Sequence, residues 1–237
     1  MKVEFWGTRG SYPVPGNLTT RYGGNTTCVT VSKEVDGQIV RIVGDCGTGG
    51  ILAGRAIVAN YFKKIEGLNI CMLFTHLHPD HTQGFPFFAP NFFPQCKMHL
   101  MGMKTLKKHI GTVLEQEMLP PTFPIEYKDL KSTRNHYEVK DGQIFYVEKD
   151  CSPSNTKTAN SVFEIKVMQS YAPSHPQQGA VYYRITDIET GKSIAFVWDL
   201  ESHYGGDRRV ISFAKDCDLM IHDTQYTEDE YNSEKMI

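Results

Sequence analysis

Two packed β-sheets covered by helices, an α/β arrangement, is the fold class that the sequence predicts. Three observations lead there. Segments rich in β-branched residues fall into two groups, helical periodicity is confined to a few short stretches among them, and no repeat, low-complexity run or linker splits residues 1–237 into separate domains. A chain of 237 residues with 40% hydrophobic and 11% aromatic side chains can bury a large core.

From the amino end, residues 3–6 read as a short strand, followed by a loop of turn formers over residues 7–16. Residues 26–32 and 38–43 are strands, and Asp36-Gly37 between them supplies a hairpin turn. Gly47-Thr48-Gly49-Gly50 opens a helix whose apolar face is expected at Leu52, Ala56 and Ala59, and a buried strand follows over residues 70–74. Residues 105–118 predict a second helix, with Leu106, Ile110, Val113 and Leu114 opposite Lys107, Lys108 and Glu115. The proline-rich stretch 120–131 predicts a long surface loop able to act as a lid. Strands then dominate: 136–139 and 143–147 around Asp141-Gly142, then 161–168, 180–187 and 193–198. A helix over 207–215 and a strand over 219–223 complete the series.

With 25 Lys+Arg against 27 Asp+Glu the formal charge is −2, which excludes a strongly basic nucleic-acid binder and an acidic disordered tail. No stretch approaches the roughly 18 consecutive apolar residues of a membrane span. The amino terminus lacks the apolar run of a signal peptide. The six cysteines lie far apart with no Cys-x-x-Cys pair, so reduced, buried thiols and a cytoplasmic location are expected.

The chemistry concentrates in Thr75-His76-Leu77-His78-Pro79-Asp80-His81, where three histidines and an aspartate crowd the end of a buried strand. Several imidazoles beside a carboxylate would leave polar edges buried unless a cation organised them. His76 and His78 alternate along extended chain and project to one side, while Asp80 and His81 lie where a helix begins. Two metal positions follow. The imidazole and carboxylate donors suit zinc and also allow manganese or iron.

Thr-His-x-His-x-Asp-His resembles the signature of the metallo-β-lactamase superfamily, an αββα sandwich. Gly44-Asp45-Cys46-Gly47-Thr48-Gly49 resembles its strand-end aspartate and glycine loop, and Ser174-His175-Pro176 and Trp198-Asp199 fall in the order of its next two ligand motifs. Phe5-Trp6-Gly7-Thr8-Arg9-Gly10-Ser11, Tyr22-Gly23-Gly24-Asn25-Thr26 and Gly84-Phe85-Pro86-Phe87-Phe88 are similar to the phosphodiesterase branch, which includes transfer-RNA 3′-processing endonucleases and the cyclic phosphodiesterase of phosphonate breakdown. The resemblance implies one metal on His76, His78 and His175, a second on Asp80 and His81, and Asp199 bridging both. A water between the two cations would supply the attacking hydroxide, oriented by Asp80.

Around that centre, Asp45 reads either as a carboxylate holding a ligand imidazole by its free nitrogen or as a turn-stabilising aspartate. Arg9 offers a planar fork for phosphate or a surface salt bridge, Asn25 a substrate contact or a turn, and Phe85 to Phe88 a face for a base or sugar or core packing. Ile221-His222-Asp223-Thr224 resembles the His-Glu-Ala-Thr segment of the transfer-RNA enzymes, which implies a proton-relay role for Asp223. Their subsequent His-Ser-Thr motif and final histidine have no counterpart up to Ile237. Either the sequence is a truncated form or the second metal lacks an imidazole, whose place water or another copy, in a homodimer, would fill. Neither His203 nor His222 is assigned as its replacement.

The resulting expectation is a metal-dependent hydrolase, a phosphodiesterase acting on a small cyclic or linear phosphodiester. The alternatives are transfer-RNA 3′ processing, which the net charge of −2 disfavours, hydrolysis of a thioester, lactone or β-lactam, or a non-catalytic metal-binding module.

Overall fold

A computed structural model describes residues 1–63, 67–104, 108–170, 179–201 and 205–224. Strands β1 (Lys2–Gly7), β2 (Cys28–Val35), β3 (Gln38–Gly44), β4 (Ile70–Leu73), β5 (Lys97–Gly102) and β6 (Thr133–Glu138) form one sheet in that order. The first three strands are antiparallel and the rest join in parallel. Strands β7 (Ile144–Glu148), β8 (Pro153–Ser154), β9 (Ser161–Gln169), β10 (Val181–Asp187), β11 (Ser193–Val197) and β12 (Leu219–His222) form the other, in the order β12-β11-β10-β9-β7-β8. The β2–β3 hairpin closes as Asp36-Gly37 predicts, with both residues at positive φ, 51° and 74°.

Three apolar layers hold the sandwich. Val31, Ile42, Leu73, Phe163, Ile165 and Phe196 fill the space between the sheets. The outer face of the first sheet packs under helices α1 (Gly49–Phe62) and α3 (Ile110–Glu117) through Val43, Ile57, Met72, Ile110 and Leu114. The outer face of the second packs Tyr182, Ala195 and Val197 against Val210 of α4 (Arg208–Ala214). Covered on both faces, β4 is apolar and buried at every position, as parallel strands in such layers are. The order helix, sheet, sheet, helix is the predicted αββα sandwich.

Several elements differ from expectation. Helix α1 buries Gly49, Gly50, Ala53, Gly54 and Ile57 and leaves Leu52 and Ala59 exposed. It lies so close to its neighbours that a Cβ on Gly54 would stand 2.8 Å from the Ala89 nitrogen, so its packing face is chosen by smallness. The described part of the second helix begins at Ile110, with His109 extended before it, and Leu106 lies outside the described residues. The expected surface loop is anchored at its far end: Tyr127 and Leu130 are buried, and the Tyr127 ring stacks on Phe85 with centroids 6.0 Å apart. The turn at Asp141-Gly142 carries the chain from β6 in one sheet to β7 in the other. Phe85 and Phe88 are core residues, although Phe87 is exposed.

None of the six cysteines forms a disulfide, and five are buried. No described helix is long and apolar enough to cross a membrane.

Candidate metal centre

The parallel strands β3 and β4 end side by side, and β11 ends opposite them in the other sheet. Each end carries part of the cluster. Asp45, just past β3, adopts a left-handed φ of 52°, and Asp199, just past β11, a φ of 34°. Such backbone is disfavoured for residues with a Cβ and persists where surrounding contacts enforce it. Beyond β4 the chain bends at Thr75 and is extended at His78, where Pro79 opens the short helix α2 (Pro79–Thr82), which carries Asp80 and His81.

Asp45 organises this segment from beneath. It is fully buried; its Oδ1 accepts the Thr75 backbone N–H at 2.8 Å, and its Oδ2 accepts the Thr75 hydroxyl at 2.7 Å and His81 Nδ1 at 2.6 Å. Burial raises the Asp45 carboxyl above its usual range, against the pull of His81 and Thr75. The loop bearing Asp45 is stitched to the histidine segment by backbone bonds from Cys46 N to His81 O at 2.8 Å and from Gly84 N to Cys46 O at 2.9 Å. Only glycine permits that approach, because a Cβ on Gly84 would fall 1.9 Å from the Gly47 carbonyl oxygen and one on Gly47 would fall 2.1 Å from the Asp80 oxygen. Gly84→Ala is therefore expected to lower stability by about 3 kcal/mol in urea unfolding. Gly67→Ala, where a Cβ meets nothing within 4 Å, should change little. Equal midpoints for the two variants would contradict this account of the loop.

Above Asp45 the side chains converge. The His76 ring lies 4.4 Å from that of His78 and 4.1 Å from that of His81, centroid to centroid. Among the described residues two groups offer ligand atoms all within 4.8 Å of one another: His76, His78 and Asp199, and Asp80, His81 and Asp199. Asp199 belongs to both. Its Oδ2 lies 3.5 Å from His76 Nε2 and its Oδ1 lies 3.2 Å from His81 Nε2, while Asp80 Oδ2 lies 3.5 Å from the latter.

This donor set fits divalent cations. His81 Nε2 is buried and, among the described residues, finds no partner in hydrogen-bonding geometry although Asp199 and Asp80 oxygens lie 3.2 and 3.5 Å away, while the opposite nitrogen is held by Asp45. That is how a ligating imidazole is oriented. Burial opposes charging of His81, but Asp45 and Asp199 outweigh it and lift the imidazole to about 10, so the potential here favours positive charge. The ligand atoms are nitrogen and oxygen, suited to zinc, manganese or iron.

The remaining candidates are placed as follows. His175 and His203 lie outside the described residues. Arg9 is exposed, its guanidinium 5.6 Å from the centre of the Tyr12 ring, and it lines a cleft of about 720 Å³ together with Trp198, Asp199, His222 and Asp223. Asp223 is exposed at the end of β12 and belongs to neither ligand group. Asn25 is not among the residues lining this cleft; its carbonyl accepts the Arg9 backbone N–H at 3.0 Å and so anchors the Arg9 loop. Two contributors escape sequence reading. Thr75 bonds Asp45 twice, and its signal was a hydroxyl placed directly before His76. Ser11, at a φ of 66°, donates its backbone N–H to Asp80 Oδ2 at 2.8 Å, which no side-chain pattern announces.

An αββα sandwich with two cation-sized ligand groups sharing one carboxylate at its strand ends defines a protein of the metallo-β-lactamase fold. Among solved structures the chain is similar to the short form of human tRNase Z, with 17% identity and a TM-score of 0.56 over 96% of this chain and 79% of that one. A second similarity is to unliganded yeast PDE1, with 14% identity and a TM-score of 0.49 over 87% of this chain and 66% of that one. Neither a family profile nor a curated protein sequence matches the chain.

Proposed function

We propose that this protein is a divalent-metal-dependent hydrolase that cleaves a small cyclic or linear phosphodiester. The observation that carries the reading is Asp199, which turns one oxygen to each of two histidine-containing groups at the edge of a cleft that also holds Arg9. His76, His78 and Asp199 would hold one cation, with His175 as a further ligand, and Asp80, His81 and Asp199 the other; zinc is the first choice. A bound pair supplies a nucleophile from water at neutral pH and stabilises charge on phosphorus and the leaving oxygen.

The chain's own groups do the rest. Asp45 holds His81 by Nδ1 and so presents Nε2 as the nitrogen that gives up its proton to a cation, and the Ser11 N–H fixes Asp80. Arg9 offers two N–H groups to the phosphate oxygens from the cleft wall. Asp223, on the same cleft, is read as the proton relay toward the departing oxygen. The six cysteines, none in a disulfide, support a reducing, cytoplasmic setting. A net charge of −2 supports a small substrate over a long polyanion.

Elemental analysis combined with turnover of bis(p-nitrophenyl) phosphate and a panel of cyclic and linear diesters tests the reading. Metal loading with diester hydrolysis is expected. Full loading without turnover of any diester would overturn it in favour of another ester or lactone hydrolase or a metal-binding module. Within an active enzyme, Arg9→Ala should lower kcat/KM by about tenfold or more with unchanged metal content, since a charge-assisted contact is worth roughly 1.5–3 kcal/mol. Arg9→Lys should restore only part, because an ammonium lacks the bidentate fork. Unchanged kinetics in both variants would reduce Arg9 to a surface residue.

A further inference from the structure

Two consecutive tyrosines of β10 reach both halves of the metal centre. Strand alternation sends Tyr183 into the layer between the sheets and Tyr182 to the outer face beneath α4. Both are buried, at 1% and 0% exposure. The Tyr183 hydroxyl donates to the Phe74 carbonyl at 2.8 Å, two residues before His76, and the Tyr182 hydroxyl donates to the Asp199 carbonyl at 3.1 Å. The residue before them, Val181, donates its backbone N–H to the Thr75 carbonyl at 2.8 Å. Three successive residues of one strand thus grip the histidine segment of the first sheet and the aspartate turn of the second.

The gripped carbonyls lie where the strands have just ended and a sheet ladder no longer pairs them, so a buried partner must come from elsewhere. At Asp199 the need is greater, since a φ of 34° must be imposed by its surroundings. Phenylalanine would fill the same volume at either position, and a buried hydroxyl is unfavourable without a partner. Burial drives the Tyr182 hydroxyl up to about 12 and raises that of Tyr183 well above its usual range, so both stay protonated donors.

We propose that Tyr182 and Tyr183 are positioning residues that fix Asp199 against the histidines and so set the geometry of both cation positions. This rests on reading the cluster as a two-cation centre. Neither tyrosine would touch substrate; each acts through a backbone carbonyl.

The test uses the full chain with Tyr182→Phe, Tyr183→Phe and, as a control elsewhere in the sheet, Tyr146→Phe. Zinc affinity is measured by competition with a chromophoric chelator, and coordination geometry by the visible absorption of the cobalt-substituted protein. Losing one such hydrogen bond should weaken cation binding about three- to tenfold. Tyr182→Phe should affect both positions, because both use Asp199, whereas Tyr183→Phe should act chiefly on the position held by His76 and His78. Both should shift the cobalt spectrum, and Tyr146→Phe should not. Wild-type affinities and spectra in both tyrosine variants, even with lowered melting temperatures, would overturn the proposal and leave the metal centre standing. A wild-type chain that binds neither zinc nor cobalt would overturn the metal-centre reading itself, and the proposal with it.

Discussion

An Asp199→Asn protein is expected to lose both cations together, whereas His78→Ala and Asp80→Ala should each empty one position. The two carboxylate oxygens of Asp199 face different histidines, Oδ2 toward His76 and Oδ1 toward His81, at 3.5 and 3.2 Å. Asparagine keeps one oxygen and replaces the other with an NH₂ that points hydrogens at a cation, and it removes the negative charge shared by the pair. The fold should survive, because asparagine is among the residues that tolerate positive φ and the carbonyl that Tyr182 holds is unchanged. Loss of partners that merely orient a ligand already weakens metal binding about 10–100-fold, so loss of the ligand should exceed about 100-fold at both positions. Metal content after dialysis against a chelator-buffered solution reads this directly. Release of one cation per chain from Asp199→Asn would show that the carboxylate is not shared.

The order in which such features became legible follows the range of the forces that fix them. His76, His78, Asp80 and His81 are local, so their density in the sequence was enough to mark a cation cluster. The β2–β3 hairpin was legible for the same reason, since Asp36-Gly37 encodes its own turn. Strand β5 was not: Lys97-Met98-His99-Leu100-Met101-Gly102 lacks β-branched residues and becomes a strand by pairing in parallel with β4 and β6. Periodicity points to the wrong face of α1, because it weights large apolar residues while close approach selects glycine and alanine. Asp141-Gly142 encodes a turn but not its destination, which depends on contacts made elsewhere. Asp45 and Asp199 lie far from the histidines in sequence, and only a family resemblance links them to the cluster. Ser11, Tyr182 and Tyr183 act through backbone N–H and C=O groups or on them, and a one-dimensional pattern of side chains carries no record of that.

Asp45→Asn should separate the integrity of this site from its affinity for cations. Asp45 receives three donors, Thr75 N and Oγ1 and His81 Nδ1, on two oxygens. With the carboxylate in place Nδ1 keeps its proton, so a cation that displaces the Nε2 proton leaves a neutral imidazole whose Nδ1–H Asp45 still holds. Asparagine fits the same volume and tolerates the φ of 52°, and its oxygen can still accept from Thr75 N. Its NH₂ then faces His81 Nδ1 as a donor, which moves the imidazole proton to Nε2, where a cation has to displace it. The expected result is a folded protein less stable by about 1–3 kcal/mol, from the loss of a hydrogen bond to a charged group. Affinity at the position of Asp80, His81 and Asp199 should fall about 10–100-fold. The position of His76 and His78 should change much less. Asp45→Ala, in contrast, strands buried donors, including His81, and should cost about 3–5 kcal/mol in stability, so its metal loss would be inseparable from unfolding. Zinc titration together with nitrogen NMR of the His81 ring distinguishes these outcomes. An Asp45→Asn protein that binds both cations like the wild type, with Nε2 unprotonated, would show that Asp45 does not set the tautomer.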